Sequence, residues 1–457
     1  MYLQQFFVKG LGHASYLLGD SDAGVAALID PRRDIGEYLS AADDEGLRIT
    51  DVLETHVHND YVSGADEVRR RTGATVHAST VAELTRPHVP MDDGDELRVG
   101  SLRIRALATP GHTPDHLAFL VADLSRTDED WVCFSGGALL VGTAARPDLL
   151  GGPDEARRAA AALFETIRDR IAPLPDWIEL YPTHGAGSLC GSGIGGKRWS
   201  TVGFERRHNP ALNQPDADAF ARFILADQPS IPAYWREMRP MNQAGGMPTE
   251  QLADPRAMTS HEVAHAAGHG ATIIDARDAD RFADGHIPGS LSIGLSDTFG
   301  TWAGSVVPIE NEVLLVLAGP NDLEPVMLQL RRAGFDRVIG YLDGGFDAWT
   351  GDRERLEQRE ATDLGSADAR TILDVREPSE WREGHVAGAL HIPGAQLPSR
   401  LDDVRSGPVL VMCGSGYRSA IAASLLMREG REGVGHVIGG MGAYRSAGLP
   451  IEMEETA

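Results

Sequence analysis

The sequence predicts an α/β protein that contains several domains. The chain has 457 residues, which is too many for a single hydrophobic core, so about two to four domains are expected. Short apolar segments typical of strands alternate with segments of helical periodicity, as they do in α/β proteins. In the second half of the chain one such pattern occurs twice, so two of the domains are expected to share a fold.

The composition is that of an ordinary globular protein and limits the classes of partner. Hydrophobic residues make up 42% of the chain and charged residues 24%. The formal net charge of −25 argues against nucleic acid and anionic membranes as partners. No apolar run approaches the ~20 residues that span a membrane, and the N-terminus lacks a leader pattern, so we expect a cytoplasmic protein. The 3 cysteines do not make a disulfide framework and favour thiol chemistry.

The first half of the chain contains many predicted strands and a few predicted helices. The strands cover residues 4–8, 13–18, 25–29, 49–54, 74–78, two segments near 95–108, 117–121, 131–134 and 177–181. The helices cover residues 35–45, 65–71, 154–170 and 216–226. This succession places several polar loops at the ends of strands, where α/β proteins often bind their ligands.

Histidines follow three separate predicted strands. The polar residues at these strand ends are His56, His58 and Asp60, then His112 and His116, and finally His184. An H-x-H-x-D cluster places two imidazoles close enough to bind one metal ion. Because three strand ends contribute, we expect the side chains to converge on one metal or catalytic centre.

Three ordered motifs carry a resemblance to a known family. They read THVHND at 55–60, PGHTPDH at 110–116 and YPTHGAGS at 181–188. In this order they resemble the metallo-β-lactamase superfamily, which implies an αββα sandwich. Residues 185–191, 200–205 and 209–210 are similar to its persulfide dioxygenase branch. We therefore expect a first domain over residues 1–245.

The resemblance implies a mononuclear iron site, but two positions depart from the family pattern. His56 and His112 match two ligands of the family, whereas Gly137 stands where the family carries a ligating aspartate. Tyr61 also stands where two-metal hydrolases of the superfamily carry a histidine. Both departures argue against a two-metal hydrolase.

Three possibilities stay open for this site. In the first, His58 completes a three-histidine set with His56 and His112, which would bind one Fe(II) per chain, with zinc as the alternative metal. In the second, Asp60 or a water molecule fills the gap and binding is weaker. In the third, the site binds no metal. Where they are not ligands, Asp60 and His184 are expected to lie beside the metal. His116 could belong either to the site or to the hydrophobic core.

A glycine-rich stretch, residues 185–196, leads to Lys197 and Arg198. Such a loop can present backbone N–H groups to an anion, and the resemblance places it near the carboxylates of a thiol substrate. The alternative is a flexible loop with a chance pair of cations. Cys190 is a candidate carrier of sulfane sulfur, and we expect it to be exposed, with its thiolate favoured by the cations. Cys133 is expected in the core.

Residues 228–246 contain three prolines and a glycine pair, which is typical of a linker. The repeat follows. IIDAR at 273–277 matches ILDVR at 372–376, and DGHIPGSL at 284–291 matches EGHVAGAL at 383–390. Alternating strands and helices imply a small parallel sheet in each copy. The pattern resembles two rhodanese domains, which we expect over residues 255–355 and 363–457.

The second copy carries a candidate nucleophile. An apolar strand over 409–412 delivers Cys413 to a strand-to-helix loop, where N–H groups and the helix N-terminus stabilise a thiolate or persulfide. The predicted catalytic residues are Cys413, Arg418 and Asp374, and the predicted substrate-binding residues are Gly414, Ser415, Gly416 and Tyr417. In the first copy Ala318 replaces the cysteine and Leu323 replaces the arginine, so that copy is expected to be a spacer or docking surface.

Together the resemblances imply an enzyme of sulfide metabolism. The first domain would oxidise a low-molecular-weight thiol persulfide, such as glutathione persulfide, with O₂ to sulfite. The last domain would transfer sulfane sulfur through a Cys413 persulfide, with thiosulfate and sulfite as partners. We also expect a homo-oligomer that binds neither nucleic acid nor membrane.

Two alternatives stay open for the function. The first domain could be a zinc thioester hydrolase of the glyoxalase II kind. It could also be a catalytically dead scaffold for binding or dimerisation, which would leave a sulfurtransferase.

Overall fold

The computed structural model describes residues 1–365 and 370–453, which form two compact units. The first unit comprises Met1–Pro229 and Trp235–Thr249. The second comprises Ser230–Tyr234 and the described residues from Glu250 onward. Residues 366–369 and 454–457 of the predicted third domain lie outside the described residues. The three domain boundaries given above stay predictions.

Two sheets of six strands form the centre of the first unit. The strands of the first sheet, in spatial as in chain order, are β1 (Tyr2–Val8), β2 (His13–Asp20), β3 (Val25–Ile29), β4 (Arg48–Leu53), β5 (Thr75–Ser79) and β6 (Val89–Met91). The second sheet contains β7 (Glu96–Val99), β8 (Leu102–Ala108), β9 (Leu117–Asp123), β10 (Val132–Gly136), β11 (Glu179–Pro182) and β12 (Ser200–Thr201). Strands β3 to β6 are parallel, as are β10 and β11.

Six helices belong to this unit. They are α1 (Gly36–Asp44), α2 (Ala65–Thr72), α3 (Pro153–Thr166), α4 (Val202–His208), α5 (Ala217–Leu225) and α6 (Trp235–Ala244). Each sheet has one face towards the other sheet and one face towards helices, because side chains alternate along a strand. Tyr16 and Leu18 pack between the sheets against Phe119, whereas Leu17 packs towards α1 and α2.

The outer face of the second sheet packs on α3 and α5 through Leu163 and Phe220, and Cys133 lies in this cluster as predicted. The order of layers is therefore helix, sheet, sheet, helix. This confirms the predicted αββα sandwich.

The linker predicted over residues 228–246 is wrong for most of its length, because Trp235–Ala244 forms α6. The prediction rested on prolines, but Pro240 lies inside this helix. Tertiary contacts of Arg239 and Asn242 hold the segment against the first unit, and such contacts override a weak local propensity.

The second unit contains two parallel sheets of five strands. The first repeat has β13 (Arg256–Met258), α7 (Ser260–Gly268), β14 (Thr272–Asp275), α8 (Ala279–Asp284), β15 (Leu291–Ser292), α9 (Phe299–Val306), β16 (Val313–Val316), α10 (Leu323–Arg332) and β17 (Val338–Leu342). The second repeat has β18 (Glu357–Arg359), β19 (Thr371–Asp374), α11 (Pro378–Arg382), β20 (Leu390–His391), β21 (Val409–Met412), α12 (Tyr417–Arg428), β22 (Val434–Val437) and α13 (Gly440–Ser446).

The two sheets have the same strand order, which is β13-β17-β16-β14-β15 in one repeat and β18-β22-β21-β19-β20 in the other. All neighbouring strands in them are parallel, as predicted for each repeat. Within the described residues, no helix combines the length and the apolar character needed to cross a membrane.

Candidate functional site

Three buried histidines come together at one end of the sandwich. His56 follows β4 of the first sheet, while His112 follows β8 and His184 follows β11 of the second sheet. Their ring centroids are 4.9 to 5.6 Å apart, and one nitrogen of each lies within 4.8 Å of the others. We call these three residues the histidine cluster. Convergence of three strand ends was predicted, but the third member was expected beside the metal.

Hydrogen bonds fix which nitrogen of His56 is available. Thr55 Oγ1 donates its single proton to Asp30 Oδ2 at 2.8 Å, so it accepts from His56 Nδ1, which is also 2.8 Å away. His56 therefore carries its proton on Nδ1. Its Nε2 is left with a lone pair for a ligand.

The other two histidines are prepared in a similar way. His112 Nδ1 donates to the Arg146 carbonyl oxygen at 2.7 Å. Its Nε2 and that of His184 are buried without a hydrogen-bond partner. Buried polar atoms of this kind normally have a partner, and a metal ion is a suitable one for neutral imidazoles. The residues present therefore fit a bound metal.

Burial keeps the cluster neutral, which is the form of imidazole that binds a metal. It lowers the pKa of His112 to about 4. Burial, followed by the neighbouring histidines, also holds the pKa values of His56 and His184 well below the ordinary value.

His58 lies next to this set, with its ring centroid 4.2 Å from that of His56. Its Nε2 lies 3.1 Å from Asp30 Oδ1, and both side chains are fully buried. Burial lowers the pKa of His58, but Asp30 outweighs it and holds the pKa above the ordinary value. The Nδ1 atom of His58 is buried without a hydrogen-bond partner, like the Nε2 atoms of His112 and His184, so His58 as the third ligand stays a prediction.

Asp30 was missed by the sequence analysis. It follows β3 with φ +50°, an uncommon conformation for a residue other than glycine. Its carboxylate accepts from the N–H of Thr55 at 2.7 Å and from the hydroxyls of Thr55 and Thr183. A carboxylate directly after β3 was the available signal, because β3 and β4 are parallel and end at the same edge.

His116 has both ring nitrogens paired with protein groups, so it supports the histidine cluster and offers no free nitrogen to a metal. Its Nε2 accepts the N–H of Gly137 at 2.8 Å, and its Nδ1 is paired with Thr109 Oγ1. Gly137 replaces the aspartate expected from the family, and it lies very close to His112. A Cβ added at Gly137 would be 2.4 Å from His112 Cδ2, so a side chain there would displace the ring.

Cys190 is buried, so the predicted exposure is wrong. The loop folds inward because Arg146 N donates to the Cys190 carbonyl oxygen at 2.7 Å. Burial and then the Asp60 carboxylate hold the pKa of the thiol well above its ordinary value. The expectation that the thiolate is favoured is therefore wrong. Ligand atoms of Cys190, Asp60 and His184 lie within 4.8 Å of one another, so Asp60 is close to one member of the histidine cluster, and its place beside a metal stays a prediction.

Lys197 and Arg198 are both exposed. Lys197 Nζ lies 3.9 Å from the centroid of the Trp199 ring, and Arg198 Cζ lies 4.3 Å from that of Phe7. Cation–π contacts of this kind hold the side chains over aromatic rings. Their role in binding an anionic substrate stays a prediction.

Helix α6 holds the loop that carries His56 and His58. Arg239 Nη2 donates to Asp115 Oδ1 at 2.9 Å, and Asp115 Oδ2 accepts the N–H of Val57 at 2.7 Å. Asn242 donates to the carbonyl oxygens of His58 and Tyr61 and accepts the N–H of Ser63. Asp115 lies in the PGHTPDH motif, although its contact with Val57 was not predicted, and Asn242 had no recognisable signal in the sequence.

The second site is built around Cys413, at the end of β21. The N–H of Gly416 donates to Cys413 Sγ at 3.0 Å, and α12 begins at the next residue. Gly416 has φ +110°, which a residue with a side chain would rarely adopt. An N–H donor and the start of a helix therefore lie beside the sulfur, and their stabilisation of a thiolate or persulfide stays a prediction.

Arg418 lies beside this loop and is paired with Glu380 at 2.6 and 2.7 Å. Burial lowers the pKa of Arg418, but Glu380 outweighs it and holds the pKa above the ordinary value. Arg418 Nη2 is 3.1 Å from the place of a Cβ on Gly414, so a side chain there would require the guanidinium to shift by a few tenths of an ångström. Ser415, between them, is exposed.

Asp374 is fully buried and bound by Arg376 through several hydrogen bonds of 2.7 to 3.0 Å. The first repeat keeps the same pair as Asp275 and Arg277, although it has no cysteine. Because the first repeat retains this aspartate–arginine pair without a nucleophile, we infer that the pair in the second repeat supports the loop after β19. A catalytic role for Asp374 stays a prediction.

Two protein-family models match the chain. The model of the metallo-beta-lactamase superfamily matches residues 8–184. The model of the rhodanese-like domain matches twice, over residues 259–352 and 357–447. The matches fall on the sandwich and on the two parallel-sheet repeats.

Two curated relatives illustrate the similarity of the first unit. The mitochondrial persulfide dioxygenase ETHE1 of Bos taurus is 30% identical over 213 residues, which cover 46% of this chain and 75% of that protein. A hydroxyacylglutathione hydrolase of Rhodopseudomonas palustris is 39% identical over 110 residues, or 24% of this chain. The match spans 43% of the length of that hydrolase.

Solved structures extend the similarity. A crystal structure of a metallo-beta-lactamase from Staphylococcus aureus is 31% identical, covers 74% of this chain and 98% of its own, and has a TM-score of 0.66. The structure of ETHE1 from Myxococcus xanthus is 30% identical and covers 54% of this chain and 100% of its own, with a TM-score of 0.47.

Proposed function

Because the chain belongs to the metallo-beta-lactamase superfamily, in the group that fuses a persulfide dioxygenase-like domain to two rhodanese domains, we propose that it is an enzyme of sulfide metabolism. The first unit oxidises a low-molecular-weight thiol persulfide, such as glutathione persulfide. One persulfide, one O₂ and one water give the free thiol and sulfite, with release of two protons. The second unit transfers sulfane sulfur through Cys413.

One observation carries the first half of this proposal, namely the histidine cluster, in which one nitrogen of each ring lies within 4.8 Å of the others and the Nε2 atoms of His112 and His184 are buried without a hydrogen-bond partner. Iron(II) held by His56, His112 and His184 supplies O₂ chemistry, since three protein ligands leave positions open. His184 takes the place predicted for His58. Asp60, whose pKa burial raises to about 6, is suited to accept a proton that the persulfide loses near neutral pH.

Cys413 carries the second half. Its thiolate attacks the outer sulfur of a donor such as thiosulfate, the S–S bond breaks, and sulfite leaves. The Cys413 persulfide is then held by the N–H of Gly416 until an acceptor takes the sulfur. In the reverse sense, sulfite from the first unit accepts this sulfur and forms thiosulfate.

A zinc thioester hydrolase is the second candidate, because hydroxyacylglutathione hydrolase is among the relatives. That match covers less of the chain than the persulfide dioxygenase match. Tyr61 and Gly137 stand where a two-metal hydrolase of this superfamily would carry ligands. Rapid hydrolysis of S-lactoylglutathione by the purified protein would favour this candidate.

The proposal is tested by sulfite formation from glutathione persulfide in air and under argon. We expect sulfite in air, none under argon, and a loss of more than about a hundredfold in His56→Ala and His112→Ala. His208→Ala, which changes an exposed histidine on α4, serves as the control and should retain the parent rate. Sulfite formation under argon at the rate seen in air would contradict the proposal.

A further inference from the structure

The two rhodanese-like repeats contact each other at the catalytic loop of the second repeat. The contact comes from the loop of the first repeat that follows β15, which we call the 293–298 loop. Tyr417 Oη donates to the Gly294 carbonyl oxygen at 2.9 Å, and Ser296 Oγ donates to Tyr417 Oη at 3.2 Å. Burial raises the pKa of Tyr417 to about 12, so its hydroxyl keeps the proton that it donates.

The catalytic loop needs such a support, because glycines at 414 and 416 leave its backbone free to adopt many conformations. The first part of the loop is held within its own repeat. Met441 N donates to the Cys413 carbonyl oxygen at 2.7 Å, and Gly442 N donates to that of Gly414 at 3.0 Å. The part that presents the Gly416 N–H to sulfur continues directly into Tyr417.

The 293–298 loop is itself held firmly in the first repeat. Ile293 N donates to the Asp275 carbonyl oxygen and Leu295 N to that of Ala276, both at 2.9 Å. Gln329 Nε2, on α10, donates to the Ser296 carbonyl oxygen at 2.8 Å. The loop therefore offers the Tyr417 hydroxyl a fixed acceptor.

We propose that the first repeat, although it carries Ala318 in place of the nucleophile, positions the sulfur-transfer loop of the second, and that Tyr417 is the positioning residue through which it does so. This inference rests on the proposed sulfurtransferase function. The first repeat is then part of the machinery that orients the Gly416 N–H towards Cys413 Sγ. Its retained Asp275–Arg277 pair serves the same end, since it supports the strand end on which the 293–298 loop rests.

The test compares two hydrogen bonds that join the repeats through the same helix. Tyr417→Phe removes the hydroxyl but keeps the ring. Ser424→Ala removes the acceptor of the Ser292 N–H, a bond of 2.9 Å two turns further along α12, and serves as the matched control. Ser296→Ala removes the second, longer hydrogen bond to Tyr417. The full-length chain is used throughout.

Two readouts separate positioning from stability. One is kcat for sulfur transfer from thiosulfate to cyanide, and the other is the rate of Cys413 alkylation by iodoacetamide as a function of pH, followed by mass spectrometry. We expect Tyr417→Phe to lower kcat about fivefold to tenfold and to move the alkylation profile to higher pH. Ser296→Ala should have a smaller effect in the same direction, and Ser424→Ala should leave both readouts within about twofold.

The outcomes that overturn each idea are distinct. If the parent transfers sulfur but Tyr417→Phe matches the parent in both readouts, or behaves like Ser424→Ala, the positioning role is wrong. If the parent transfers no sulfur, the proposed function of the second unit is wrong, while the alkylation profiles still decide whether Tyr417 positions the loop.

Discussion

Asp30 organises the polar contacts behind the histidine cluster, although it is not a member of it. It accepts from Thr55, which in turn orients His56, and it pairs with the buried His58. Groups of this kind set the tautomer and direction of a metal ligand, and their loss typically costs tenfold to hundredfold in affinity. The residue that orients a ligand is therefore as much a part of the site as the ligand.

Asp30→Asn should lower iron affinity at least about tenfold, because the amide group of asparagine carries no charge beside the buried His58 and cannot accept all the hydrogen bonds that the carboxylate accepts. Equilibrium dialysis against iron(II) under argon measures this. Asp51→Asn is the matched control, since Asp51 forms another buried aspartate–histidine pair, with His77 at 2.8 Å. Equal iron affinity in Asp30→Asn and the parent would contradict the role given to Asp30.

Gly137 also matters at the scale of single residues, because it leaves space for the His112 ring. We expect Gly137→Ala to lower bound iron about tenfold or more, because its methyl group would press on the His112 ring. Gly196→Ala is the control, since a Cβ there would meet nothing within 4 Å. Metal analysis of the purified variants gives the comparison, and undiminished iron in Gly137→Ala would mean that His112 is not a ligand.

At the scale of elements, α6 restrains the loop between β4 and α2. Asn242→Ala would leave the backbone groups of His58, Tyr61 and Ser63 without their partner, at a cost of about 1–3 kcal/mol for each buried group. We expect lower iron affinity and faster amide hydrogen exchange in residues 56–64. Arg236→Ala changes an exposed residue on the same helix and should alter neither. Unchanged amide hydrogen exchange in Asn242→Ala would show that α6 does not restrain the loop between β4 and α2.

The strands and their polar ends were predictable from sequence, because apolar runs and turn residues are local signals. The third member of the histidine cluster was not. His58 is two residues from His56, and spacing alone does not say that Nε2 of His58 lies beside Asp30 while a nitrogen of His56 lies within 4.8 Å of those of His112 and His184. The burial of Cys190 and the helix α6 were missed for a related reason, since both depend on tertiary contacts that override local composition.

For the whole molecule, the layer order of the sandwich came from the resemblance carried by three motifs. Periodicity alone predicted strands and helices, but not how they divide into two facing sheets. The parallel sheets of the two repeats did follow from the alternation of strands and helices. The contact of Tyr417 with the 293–298 loop could not be predicted, because it joins residues that are far apart in sequence.

The two chemistries on one chain predict a sequence of products. In the parent, sulfite formed from glutathione persulfide should be converted to thiosulfate by sulfur from the Cys413 persulfide. Cys413→Ser should consume O₂ at the parent rate but accumulate sulfite, because serine forms no persulfide. Chromatography of the sulfur products measures the ratio. Thiosulfate formed by Cys413→Ser at the parent rate would show that the second unit does not use the product of the first.

The most direct test of the account is O₂ uptake with glutathione persulfide by protein whose iron and zinc have been quantified. We expect uptake that rises in proportion to iron and is abolished in His184→Ala as completely as in His56→Ala. Iron-loaded parent protein that consumes no O₂, while Cys413 still transfers sulfur from thiosulfate, would contradict this expectation. The sandwich would then serve a sulfurtransferase without oxidising persulfide itself.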